Sequence, residues 1–139
     1  MTSVESKIEN GNLLTDIFGR WPSFHDAEVV RIVLDRDETP YLEAVIYVFE
    51  MTSQVENGAY VLKNHILAIL RFIEIYELKL EDFNHQNVLF GLNIRDISNR
   101  QMERINFEVS FGGTFGVSAD LQCNAIRVES AEPYMPNRR

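Results

Sequence analysis

The chain reads as an α+β protein, mainly β: an antiparallel sheet of about six to seven strands with a short N-terminal helix. Three observations predict this. β-Branched and aromatic residues crowd into runs of strand length, clusters of turn formers separate those runs, and only one early segment carries clear helix start and stop signals. With 139 residues, 45% of them hydrophobic, and nine Phe, five Tyr and one Trp, the expectation is one domain over 1–139. Such a chain buries about two-thirds of its unfolded surface and needs no covalent staple.

Taken in order, residues 1–12 read as a loosely ordered terminus. "NLLTDIFG" (12–19) is the helix, with Asn12 as N-cap and Gly19 as the stop. Leu13, Leu14, Ile17 and Phe18 form its apolar face, and Pro22 forbids continuation. "AEVVRIVLDR" (27–36) reads as a strand with Ala27, Val29, Arg31 and Val33 on one face and Glu28, Val30, Ile32 and Leu34 on the other. "YLEAVIYVFEM" (41–51) follows as its hairpin partner, and "TSQVENGAY" is a polar turn sharpest at Asn57-Gly58.

Residues 65–80 fit two periods. Ile66, Ile69, Leu70, Ile73, Tyr76 and Leu80 make a helical stripe, yet the same stretch suits a strand buried on both faces. Isoleucine and aromatic content favours the strand. "EDFNHQN" (81–87) is a loop. "VLFGLNIRDI" (88–97), "RINFEVSF" (104–111), "TFGVSADLQC" (114–123) and "AIRVES" (125–130) read as short strands, with Gly112-Gly113 as a two-residue hairpin signal. Residues 133–139 form a tail.

Thirteen Lys/Arg against 21 Asp/Glu give a formal charge of −8. That balance opposes nucleic acid and anionic membranes, and suits a basic partner. The polar N-terminus shows no signal peptide, and the longest apolar run is too short and too charged for a membrane span. One cysteine, Cys123, allows no internal disulfide. These features lead to the expectation of a soluble, cytoplasmic protein.

Candidate chemistry is sparse. His25-Asp26 suggests half of a metal site, but only His65 and His85 remain and neither has metal-ligand spacing, so no metal and no cofactor are expected. Cys123 has no basic neighbour closer than Arg127, and no G-x-S-x-G elbow occurs. "WPSFHDAEV" (21–29) reads as a packed turn: Pro22 fixes the backbone, Trp21 and Phe24 bury ring area, and Ser23 and Asp26 can cap local N–H groups. "FNHQN" (83–87) reads as a self-capping loop that could also present donors to a partner. Two acidic neighbourhoods are candidate docking surfaces for a basic partner: Asp35, Asp37 and Glu38, and Glu74, Glu77, Glu81 and Asp82.

The strings "WPSFHDAEV", "ILRF" (69–72) and "LEDFNHQNVL" (80–89), and more loosely "FGVSADLQCNAIRVESAEP" (115–133), resemble the bacterial immunity protein 50 family. That resemblance implies a small, single-domain α+β protein of a polymorphic toxin system. It implies no catalytic activity, and a role in binding and neutralising a cognate toxin. The family-typical positions it marks are Trp21, Pro22, Phe24, His25, Asp26, Glu28, Phe83, Asn84, His85, Gln86 and Asn87, read as mainly structural. Two other readings stand beside it. One is a β-rich domain binding a small ligand or assembling as a homo-oligomer. The other is a hydrolase, which would require His25, Asp26 and His85 to converge.

Overall fold

Leu42, Ala44, Ile46 and Val48 are buried at every second position of one strand, and Ile66, Ala68, Leu70 and Phe72 repeat the pattern on the next. A period of two places one face of each strand on a common interior. The computed structural model describes residues 4–135. Its strands are β1 (Glu28–Asp35), β2 (Tyr41–Glu56), β3 (Ala59–Glu81), β4 (Val88–Asp96), β5 (Phe107–Phe115) and β6 (Ser118–Pro133), preceded by helix α1 (Asn12–Phe18). All strand pairs are antiparallel, and the order β1-β2-β3-β6-β5-β4 closes into a barrel.

The interior is filled by side chains. Phe72 and Phe111 meet edge to face with ring centroids 5.6 Å apart, the offset geometry that aromatic quadrupoles favour. α1 packs on β3 and β6 and buries Leu14 completely, a contribution of about 1.5–3 kcal/mol. Gly19 ends α1 in the left-handed conformation (φ 76°), its N–H bonding Thr15 O, which glycine adopts without a Cβ penalty. Closure is slight by comparison with the long ladders: β1 and β4 share one pair of facing residues, Glu28 and Val88.

The structure resolves the ambiguous segment as strand: residues 65–80 all lie in the 23-residue β3. Several expectations are corrected. "TSQVENGAY" is not a broad turn, because β2 and β3 run on to Glu56 and Ala59 and only Asn57 (φ 52°) and Gly58 (φ 80°) turn the chain. Two positive φ values in a row match a two-residue hairpin, and polar residues there face water on an arm rather than loop out. Gly112-Gly113 is not a turn either. Both lie inside β5, where Gly112 faces Gly91 and a Cβ on Gly113 would overlap Val117 O; Gly116 (φ 87°) begins the link to β6. Residues 114–123 and 125–130 do not form two strands. Thr114 and Phe115 end β5, and Ser118–Pro133 is one strand.

Asn12 does not cap α1: Gly11 occupies the N-cap and makes no side-chain bond. Leu13 is 37% exposed, so the buried face narrows to Leu14 with Ile17 and Phe18 half-buried. In β1 a bulge between Val29 and Arg31 shifts the phase. Val29 is buried, Arg31 is exposed, and Ile32 takes the inward contact. The strand expected at 104–111 begins later, at Phe107. Residues 4–11, expected to be loose, form a 3-10 turn at Val4–Lys7 and a parallel bridge of Glu9 with Arg127. Buried Ile8 supplies the apolar anchor. The expected tail also begins later, since Tyr134 N–H bonds His65 O; residues 1–3 and 136–139 lie outside the described residues.

Candidate functional site

The two sequence motifs meet at the seam that closes the barrel. Asp26 N–H donates to Leu89 O at 2.9 Å, Leu89 N–H to Ala27 O at 2.8 Å, and Val29 N–H to Asn87 O at 2.9 Å. Phe24 (φ 61°) and Asp26 (φ 64°) stand in the left-handed region, which swings the chain from Pro22 into β1. His25 Nδ1 lies 3.0 Å from Phe90 O and Ser23 Oγ accepts from His25 N–H at 3.2 Å. Trp21 and Phe24 pack with ring centroids 5.7 Å apart. Phe24 and Pro22 are buried, whereas Trp21 is half-buried.

Asn87 is the hub of the second motif and the one buried polar residue among the described residues. Its Oδ1 accepts from Asn84 N–H at 2.9 Å and Val117 N–H at 3.0 Å, and its Nδ2 donates to Asn84 O at 3.0 Å. A side-chain amide therefore replaces the ladder that strands would supply, with donor and acceptor both used. Gly116 has no Cβ because one would overlap Gln86 O and Asn87 Oδ1. Gln86 is exposed, as are Asn84 and His85. Glu28, half-buried, faces Tyr47 on one side and Val88 on the other.

Outside this hub the seam is aromatic. Phe90 is 69% exposed, Phe83 49% and Phe115 47%. His25 stands edge-on to Phe90 at 5.5 Å and His85 edge-on to Phe115 at 5.6 Å. Phe115 faces Val88 across β4 and β5, so both ring pairs belong to the β1–β4–β5 rim. Sequence reasoning marked Phe83 with the other members of the two motifs and passed over Phe90 and Phe115. Glycine beside each of them, Gly91 and Gly116, signals a bulge or bend, but not which way the ring turns, since Phe111 beside Gly112 is buried.

The acidic candidates separate. Glu74, at the left-handed position φ 59°, pairs with Arg104 and accepts from Tyr76 OH at 2.5 Å. The Arg104 guanidinium, then the Tyr76 hydroxyl, lower its pKa to about 2. Glu77 joins Lys79, Arg95, Glu108 and Asp120 around an outer groove of about 440 Å³ on β3, β6, β5 and β4, a face of mixed sign. Asp35 Oδ1 accepts from Asp37 N–H at 2.8 Å, and Asp35, Asp37 and Glu38 share a hollow with Arg71 and Arg127. Those arginines are held by Glu43 (2.7 Å) and Glu129 (2.8 Å). Glu81 and Asp82 are exposed, follow one another into the Phe83 loop, and form no ion pair among the described residues.

The residues a hydrolase would need stand apart. His25 Nε2 lies 3.7 Å from Asp26 Oδ2, but the Nδ1 of His85 bonds the neighbouring Asn84 Oδ1 at 2.9 Å, so the two histidines serve separate turns. Among the described residues no three His, Cys, Asp or Glu side chains gather as metal ligands. Burial pushes the Cys123 thiol up to about 12, which keeps it protonated and unreactive. Tyr47 OH and His65 Nδ1 lie 2.6 Å apart, with Phe49 and Tyr134 around them, a surface cluster unforeseen because its members come from distant strand positions. No helix among the described residues is long and apolar enough to cross a membrane.

A family model described as immunity protein 50 matches residues 10–134 of the 139-residue chain. No curated protein and no solved structure matches the chain.

Proposed function

The chain belongs to the immunity protein 50 family, and from that premise we propose that it binds a cognate toxin stoichiometrically and neutralises it without catalysis. The family match over residues 10–134 carries this reading. It acts as a single domain in the cytoplasm, on a protein partner with a basic surface rather than on nucleic acid. A formal charge of −8 supports that choice of partner, since opposite potentials speed encounter and fix register. The hydrogen bonds that order the seam also support it: an inhibitor whose contact surface is already ordered loses little entropy on binding.

Co-expression with the protein encoded next to it in its own genome tests the reading. The expected result is rescue of growth from that protein's toxicity, with a 1:1 complex on gel filtration that weakens as salt rises. A neighbour that stays toxic, or that never forms the complex, overturns it.

A further inference from the structure

We propose that the toxin-facing surface is the outer rim of the barrel seam, where Phe83, Phe90 and Phe115 stand exposed beside Glu81 and Asp82, and that its occupant is a basic patch of the cognate toxin. The inference rests on the immunity reading and names the face that reading leaves open.

Three physical arguments select this rim. Exposed large rings that gather at one edge of a fold mark a contact surface; these rings are half to two-thirds exposed while Phe72 and Phe111 take the core. The rings are also pre-set. Phe90 leans on His25 and Phe115 on His85, and Asn87 ties the 84–87 loop to Val117. Rigid aromatic anchors are the side chains that dominate protein interfaces. Charge then identifies the partner. Glu81 and Asp82 open onto the rim without an ion pair among the described residues, and the Asp26 carboxylate lies beside His25 on the same edge.

The competing faces lack one part or the other. Around Asp35 and Asp37 no large ring stands exposed: the aromatic of that hollow, Tyr41, is half-buried beneath Arg71. The groove around Glu77 and Asp120 carries Lys79 and Arg95 as well and presents no aromatic anchor. At the seam Glu81 and Asp82, which form no ion pair among the described residues, run directly into the exposed Phe83.

The test uses the full chain and the protein encoded beside it, purified with its toxic activity disabled. Phe90→Ser, Phe115→Ser and the independent loop variant Phe83→Ser are compared with wild type by biolayer interferometry. Circular dichroism and thermal melting confirm that each variant is folded. Each of the three is expected to raise Kd by about 30-fold or more, as a truncated interface anchor does. The double variant Glu81→Lys/Asp82→Lys is expected to slow association by about tenfold in low salt and less in high salt. If folded ring variants bind within twofold of wild type while wild type binds and rescues, the rim is wrong and the immunity reading stands. Loss confined to Asp37→Lys and Glu38→Lys likewise overturns the rim and moves the contact to that loop. Failure of wild type itself to bind or rescue overturns the immunity reading, and the rim with it.

Discussion

The Asn87 side chain holds four backbone groups: Asn84 N–H, Asn84 O, Val117 N–H and Val29 O. Replacing it with alanine leaves the Val117 donor buried and unbonded, for which the expected cost is about 1–3 kcal/mol. Urea denaturation of Asn87→Ala checks this, and an unchanged midpoint would refute the hub. Gly116 gives a paired comparison with Gly19. Both have positive φ, but a Cβ at Gly116 strikes Gln86 O and Asn87 Oδ1 whereas one at Gly19 meets open space. Gly19→Ala is expected to cost about 1–2 kcal/mol of backbone strain, and Gly116→Ala more, because the seam must also move. Equal melting temperatures for the two variants would remove the steric argument.

Among the elements, β3 does the most. It pairs with β2 along one edge and β6 along the other, and it bends where Glu74 and Glu77 adopt φ values of 59° and 52°. Glu74 N–H bonds Pro40 O at 2.7 Å, and its carboxylate holds Arg104 from the segment before β5. Arg104 thereby ties that connection to the bend. Because the folded carboxyl titrates near 2 instead of its ordinary 4.5, its contribution is complete above pH 4.5. It fades as pH falls from there towards 2. Melting temperature against pH for wild type and Glu74→Gln is the measurement: the two curves should converge through that window, and curves that stay parallel would show that the pair contributes nothing.

For the whole molecule, the barrel is a long ladder closed by a short one. β2, β3 and β6 pair over many residues, while β1 and β4 meet at Glu28 and Val88 and through the bonds around Ala27, Asn87 and Leu89. Opening free energy follows the local density of such contacts, so the seam should open before the rest. In native-state hydrogen exchange the amides of Val29 and Leu89 are expected to exchange faster than those of Ala68 and Leu70. Equal protection would mean that the barrel opens only globally.

From the amino-acid order alone came the mainly β class, the short helix with its glycine stop, the Asn57-Gly58 turn, and the strings that resemble the family. All of these are written in neighbouring residues, through period-two alternation, positive-φ glycine and local composition. Closure of the sheet was not legible, because Glu28 and Val88 are 60 positions apart in sequence and nothing local announces their pairing. Glycines 112 and 113 misled because folding sets a backbone group against each: Gly91 from the neighbouring strand, and the Val117 carbonyl where the chain doubles back into β6. Only tertiary structure sorted the acids, since whether a carboxylate meets an arginine depends on which strands become neighbours. It also turned Phe90 and Phe115 outward, at a seam where the interior was already full.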